Sequence, residues 1–426
     1  MKTVTTIMEN YSAPLEDAGY FNHIARRIVL SRLSGLQIGE LVLNDGDKQY
    51  LFGAPSADFS RPVSITVTNR RFYLAVLLKG GLGAGEAYMN GYWQCDDLTG
   101  FIRLFLRNRS CISNIEPGSR WLNKPLQLLQ HWLQRNTLQG SRRNIEAHYD
   151  LGNELFELFL DRTMMYSCGI FSSPDDSLQQ ASENKLERIC HKLQLGPNDH
   201  VLEIGTGWGG FALYAAEHFG CRVTTTTISK QQHDYAQQRI RDAGLEDRIT
   251  LLFDDYRELG GSYDKLVSIE MIEAIGHRYF DTFFKKCSEL IRPEGMMLLQ
   301  TITIADQRFD HARKSVDFIQ RYIFPGGCLP SVAALGSSVA QSTDMRMFHL
   351  EDIGPHYATT LRMWRERLFS RLDEVRGLGY PERFIRMWEY YLAYCEGGFR
   401  EQVIGTAQLL LVKPQCRRSP LSSTDR

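Results

Sequence analysis

From Asn144 to Pro414 the sequence keeps switching between two hydrophobic periods. Five runs read as strands: "HVLEIG", "RVTTTTIS", "RITLLFDD", "YDKLVSIEMI" and "GMMLLQTITI". The runs "GGFALYAAEHF", "KQQHDYAQQRIRDAG" and "RYFDTFFKKCSELI" between them read as helices. Strand–helix alternation predicts a doubly wound, mostly parallel α/β sheet, because a parallel crossover needs a long connection to return the chain. In such sheets the ligand sits beyond the carboxyl ends of the strands, at the switch point. A glycine-rich loop follows the first of these strands, which puts it there.

That loop, "VLEIGTGWGGFALYAAEHFG", carries Gly205, Gly207 and Gly210 at G-x-G-x-x-G spacing, the pattern of a dinucleotide site. Such a site also needs an acidic residue about 20 positions on for the ribose hydroxyls. The second strand instead ends in Thr227, Ser229 and Gln232, without a carboxylate. Glu203, two residues before Gly205, can meet the ammonium of an amino-acid moiety, a group that S-adenosylmethionine has and nicotinamide cofactors lack. E-x-G-x-G-x-G is the methyltransferase form of the loop, and "LIRPEGMMLL" resembles the later P-G-G turn. Close strand–helix packing alone accounts poorly for Gly205, Gly207, Gly209 and Gly210 within six positions.

The 426 residues suggest two domains. A formal net charge of −1 supplies no field for nucleic acid, and the eleven histidines show no metal-ligand spacing. Nine scattered cysteines, with no C-x-x-C pair, suggest reduced thiols in a cytoplasmic protein. The N-terminus lacks a signal-peptide core, and no window reaches the roughly 18 apolar residues of a membrane span, so any membrane contact is expected to be peripheral. Residues 1–110 read as a smaller α+β domain with a basic helix, "YFNHIARRIVLSRLSGL", and a glycine-rich piece, "GGLGAGEAYMNGYW". Residues 111–143 read as a linker with one helix, 144–414 as the domain that carries the chemistry, and 415–426 as a frayed tail.

With these motifs placed, the chain resembles the cyclopropane-fatty-acyl-phospholipid synthases, a family that includes the mycolic acid cyclopropane synthases. The resemblance rests on "NIEAHYDLGNELFELFLDRTMMYSCGIF", "VLEIGTGWGG", "TTISKQQ", "SIEMIEAIGHRYF", "FIQRYIFPGG", "HYATTLRMWRERL" and "YYLAYCEGGFRE" in order. It implies a class I, Rossmann-like methyltransferase domain with a seven-stranded, mostly parallel sheet, and an accessory domain before it. It implies S-adenosylmethionine-dependent methylene transfer to cis double bonds in phospholipid acyl chains, by a homodimer peripheral to the inner face of the membrane. A carbocation forms in that chemistry, so the site must be dry. Aromatic faces can stabilise the charge, and Tyr166, Trp208, Phe324 and Tyr357 are candidates. In the family a bound bicarbonate ion is the base, held by a carboxylate, a tyrosine, a cysteine and nearby backbone.

Carried onto this sequence, the resemblance makes Glu273 the carboxylate, Tyr357 the tyrosine and Cys168 the cysteine, with Cys395 as the late cysteine. Cofactor positions fall on Tyr166, Ser167, Glu203, Gly205, Gly207, Trp208, Gly209, Thr227, Ser229 and Gln232, with the adenine near Asp255 and Tyr256. Two departures stand out. Ile272-Glu273-Ala274 replaces the family's F-E-H, and Gln300 stands where the family commonly has a histidine facing the bicarbonate. Glutamine donates a hydrogen bond but carries no charge.

Other readings stay open. Cys168 and Cys395 also read as small buried hydrophobes, and Glu270 is a rival carboxylate three residues before Glu273. The basic stretch at Arg26, Arg27 and Arg32 suits anionic lipid heads or simply solvent. The segment from Asp310 to Ser331 interrupts the sheet pattern and is expected to cover an acyl tunnel. The alternative activity is that of a C-methyltransferase whose products are methyl- or methylene-branched fatty acyl groups. A small-molecule N-methyltransferase and a catalytically dead lipid-binding protein stand behind it.

Overall fold

The computed structural model describes residues 19–109, 151–419 and 421. The expected linker helix lies outside the described residues. The chain divides into two compact units, the first comprising residues up to 126 together with Gly379–Gly397, the second the remainder.

The first unit holds strands β1 (Gly39–Asp45), β2 (Lys48–Ala54), β3 (Val63–Val67) and β4 (Trp93–Cys95), in the order β2-β1-β3-β4. In β1 every second residue is buried, the half-covered pattern of period two. The basic run forms the helix Gly19–Leu33, which buries Asn22, Ala25, Val29 and Leu33 at helical spacing. Arg26 is not offered to a lipid surface: its guanidinium pairs with Asp45 and donates to the Tyr50 hydroxyl at 2.8 Å. Arg27 remains exposed.

The glycine-rich piece is helical as far as Met89. It lies in the helix Arg71–Met89, which bends at Gly80 (φ 55°, ψ −129°). The bend brings the Ala75 carbonyl so close to Gly83 that a Cβ there would sit 2.0 Å from its oxygen. The helix Glu382–Arg400 lends its residues up to Gly397 to this same unit. Tyr88 donates to Glu389 at 2.6 Å, Thr99 donates to Glu396 at 2.9 Å, and the Tyr88 and Tyr390 rings meet at 5.8 Å. The expected 144–414 domain therefore gives up the segment Gly379–Gly397.

The second unit is built on β5 (His200–Ile204), β6 (Arg222–Thr226), β7 (Ile249–Leu252), β8 (Tyr263–Ile269), β9 (Ile291–Ile304), β10 (Arg346–Asp352) and β11 (Ile404–Val412). They form a seven-stranded sheet in the order β10-β11-β9-β8-β5-β6-β7. β5 to β9 run parallel, and β11 and β10 are antiparallel additions at one edge. Both faces are covered: Met297 and Leu299 of β9 join one apolar cluster while Met296 and Leu298 join the other. Of the tail expected beyond Pro414, Cys416 is buried in the second cluster and Arg418 lies over the Phe348 ring at 5.2 Å. The strand order reverses at β5, which puts the switch point of the sheet beyond the ends of β5 and β8. Among the described residues no helix is long and apolar enough to cross a membrane.

Candidate active site

The loop after β5 is tied to β6, since the amides of Gly205 and Thr206 both donate to the Thr226 carbonyl, at 3.1 and 3.0 Å. Gly205, Gly207 and Gly209 all have positive φ (103°, 53° and 88°), backbone that favours glycine. A Cβ on Gly207 would meet nothing within 4 Å, so the loop turns this residue toward open space. Glu203 below it is buried and accepts from the Thr225 hydroxyl at 2.6 Å; burial pushes its carboxyl up to about 8. An ammonium arriving there would draw the carboxylate form back. The cradle and the buried acid fit the amino-acid end of S-adenosylmethionine.

Beyond β6, the Thr227 hydroxyl donates to the Gln232 side-chain oxygen at 3.1 Å and Ser229 caps the helix Lys230–Asp242 through the Gln232 amide. Other expected cofactor positions sit differently. Trp208 is turned inward, its indole donating to Asn153 at 2.7 Å and its ring packing on Phe156 at 4.7 Å. Asp255 accepts from the Arg257 guanidinium through both oxygens, at 2.7 and 2.6 Å, which makes it a clasp for the turn after β7. Tyr256 is buried in the apolar cluster against Phe283.

The second half of the site lies just past β8. Here the two residues expected to hold a bicarbonate, Glu273 and Tyr357, do not bond each other directly. Tyr357, on the helix Gly354–Phe369, donates its hydroxyl to Glu270 at 2.7 Å. Gln300 donates its side-chain amide to Glu270 at 2.8 Å, and the backbone amide of Cys168 does so at 3.0 Å. The cause is register. Ile269 pairs with Gln300 across β8 and β9, which sets the next residue, Glu270, beside it. Glu270 holds a left-handed backbone (φ 51°), unusual for a residue with a side chain. Three donors meeting on its carboxylate offset that strain.

Glu273, one turn on, has its Oε1 fixed by the Thr301 hydroxyl at 2.8 Å and the Ile302 amide at 2.5 Å. Its Oε2 is buried and has no hydrogen-bond partner among the described residues. Burial, and then the charge of Glu270, push the Glu273 carboxyl up to about 8. Cys168 is fully buried, and desolvation holds its thiol in the neutral form. Cys395 falls in the segment that completes the first unit, where it is half-buried.

Lys185 escaped the sequence reading, because a lysine on an amphipathic helix reads as solvated. It is fully buried on the helix Leu178–Leu193 and donates to the Ser167 hydroxyl at 2.7 Å. Desolvation lowers it to about 8, against the pull of Glu270, Cys168, Asp161 and Glu203. Aromatic rings complete the wall. Tyr166 meets Trp364 at 5.1 Å and Phe324 at 6.5 Å, and Tyr357 stacks on Phe399 at 4.5 Å. The segment after β9 seats on this cluster, the Cys328 amide donating to the Glu273 carbonyl at 2.8 Å.

The family model for mycolic acid cyclopropane synthetase matches residues 136–409. The chain belongs to this family. It is 39% identical over 342 residues to a tuberculostearic acid methyltransferase of Mycobacterium tuberculosis, covering 78% of this chain and 79% of that one. It is 39% identical over 363 residues to a cyclopropane-fatty-acyl-phospholipid synthase of Escherichia coli, covering 82% and 88%. A mycolic acid cyclopropane synthase solved with SAH and CTAB aligns with TM-score 0.60 and 31% identity, over 64% of this chain and 98% of that one. As a member of the family, the protein is an S-adenosylmethionine-dependent methyltransferase, with the α/β fold expected from its strand pattern.

Proposed function

We propose that the protein transfers a methylene group from S-adenosylmethionine to cis double bonds in the acyl chains of membrane phospholipids, closing a cyclopropane ring. The relatives named for tuberculostearic acid and for fatty-acyl phospholipids support an acyl substrate. The observation that carries the reading is the unpartnered Oε2 of Glu273, held in an apolar, aromatic-walled site next to the carboxylate of Glu270. Attack of an alkene on the sulfonium methyl leaves a carbocation and a methyl that must lose a proton. Rings of Tyr166, Phe324 and Trp364 can face positive charge, and the dry wall withholds the water that would trap it.

A carboxyl near pKa 8 carries its proton at neutrality and can donate to an anion, which is how Glu273 fits bicarbonate beside a second carboxylate. Bound there, bicarbonate would supply the base for the methyl proton. Glu273 would orient it, Tyr357 would add its hydroxyl oxygen, and Glu270 would keep Tyr357 in place. Cys168 contributes its backbone amide to Glu270, and its buried thiol lines the same corner. In this reading the protein works as a homodimer, peripheral to the inner face of a membrane.

A second reading, methyl or methylene branching of the acyl group, draws on the uncharged Gln300 at the histidine position. One experiment separates them. Phosphatidylethanolamine vesicles with oleoyl chains are incubated with S-adenosylmethionine, S-adenosylhomocysteine release is followed, and the acyl product is taken to NMR. Cyclopropyl protons support the ring, a branch methyl supports the second reading, and absence of release overturns both.

A further inference from the structure

Glu351 of β10, Gln408 of β11 and Gln300 of β9 are paired neighbours across the sheet, and Glu270 follows immediately beyond the end of β8. They form a polar row across the sheet, and Gln300 and Gln408 are fully buried. Lys192, on the helix Leu178–Leu193, is buried over the far end of the row. It pairs with Glu351 and donates to the Gln408 side-chain oxygen at 2.8 Å. Gln408 passes its amide to the Gln300 oxygen at 3.0 Å, and Gln300 passes its own to Glu270 at 2.8 Å.

The order of donors follows from chemistry. An ammonium has hydrogens to give and no lone pair to accept with, so Gln408 must turn its oxygen to Lys192. Its nitrogen then faces Gln300, whose oxygen must face Gln408 and whose nitrogen must face Glu270. The Gln300 nitrogen also lies 3.5 Å from the Cys168 carbonyl, a second acceptor on the same side. We propose that Lys192 is a positioning residue: it fixes both amides so that Gln300 always donates to Glu270 and favours the accepting form of that carboxyl, which burial disfavours. Inverted, the Gln300 oxygen would face Glu270 and favour a protonated carboxyl instead. The row thus gives Gln300 a fixed polarity without a charge of its own. This rests on the reading that Glu270 belongs to the acyl-modifying site.

The groups facing Glu270 are Tyr357, Lys185, the Cys168 thiol and Glu273; those facing Lys192 include Glu351, which also pairs with Arg188. None of them is substituted in the test, and Lys192→Met leaves Glu351 its pair with Arg188. Turnover on oleoyl phosphatidylethanolamine vesicles is measured against pH for the wild type, Lys192→Met, Lys192→Arg and Gln408→Met, with S-adenosylhomocysteine affinity measured alongside. Lys192→Met and Gln408→Met are expected to move the acid limb of turnover up by about one pH unit, a tenfold loss on that limb, with cofactor affinity unchanged. Lys192→Arg, which still only donates, is expected to keep the wild-type limb. Uniformly slower turnover with the limb unmoved in both methionine variants overturns the proposal. Neutron diffraction from deuterated wild type decides the same point without turnover, so a failure of the acyl reading stays distinguishable. Deuterons on the Gln300 nitrogen facing Glu270 support the row, and an inverted amide sinks it.

Discussion

Tyr357 donates a hydrogen bond from its hydroxyl to Glu270, 2.7 Å away, and not to Glu273. The two carboxylates, three residues apart, therefore do different work. Glu270 is consumed by three protein donors, whereas Glu273 keeps a free oxygen.

Substitutions should separate these roles. Glu273→Gln keeps an oxygen for Thr301 and Ile302 but cannot exchange a proton. Turnover is expected to fall roughly 10²–10⁴-fold, with calorimetric affinity for S-adenosylhomocysteine nearly unchanged. Glu270→Leu strands Tyr357, Gln300 and the Cys168 amide in the interior, and each buried orphan costs about 1–3 kcal/mol. A drop in denaturation midpoint is expected there; a variant as stable as the wild type would contradict the geometry.

The raised Glu273 carboxyl also predicts a pH trend in stability. Its folded-state value of about 8 exceeds the ordinary 4.5, so the folded protein holds this proton more tightly than the unfolded chain. The contribution is fully present below about 4.5, is lost progressively as pH rises toward about 8, and is gone above it. Melting temperatures across that window should fall more steeply for the wild type than for Glu273→Gln. Parallel curves would show that the carboxyl is not perturbed.

Gly207→Val tests the cradle. Its φ of 53° is strained for any side chain, by about 1–2 kcal/mol, and worse for a β-branched one. The added methyls would project into the space the cofactor needs. The strain raises free and bound states alike, so the obstruction is what lowers affinity for S-adenosylhomocysteine, by at least about tenfold, or about 1.4 kcal/mol. Unaltered binding in calorimetry would move the cofactor away from this loop.

Removing everything before Arg142 is expected to cost more than membrane work. Glu389, Tyr390 and Glu396 make their contacts with Tyr88 and Thr99 of the first unit, and the cut strips those partners away. A truncated protein should melt well below the full-length one or fail to stay soluble. If it melts at the same temperature and only its vesicle turnover drops, the first unit is a separable membrane module.

The sheet was legible because short, largely apolar strand runs alternate with amphipathic helical runs, with glycines between β5 and the helix that follows. The acid pair was only half legible. A spacing of three residues after a strand puts Glu270 and Glu273 in one turn, and which of them meets Tyr357 depends on the pairing of Ile269 with Gln300. No local pattern encodes that pairing. Lys185 and Lys192 were invisible for a similar reason, since burial of a lysine is decided by what the rest of the fold lays over it. The glycines near Gly83 serve a bent helix.

The polar row bears finally on how the last strand finds its place. β11 arrives from the C-terminal end as "IGTAQLLLV", and its residues from Thr406 to Val412 are all buried. Such a run says little about alignment, because a slip of two residues still sets leucine against leucine. Gln408 alone has a neighbour it cannot exchange. Displaced, it would take one hydrogen bond each from Gln300 and Lys192 in a dry interior, at about 1–3 kcal/mol for each buried group left short. A single amide in the middle of the strand thus acts as an alignment pin for the closing edge of the sheet.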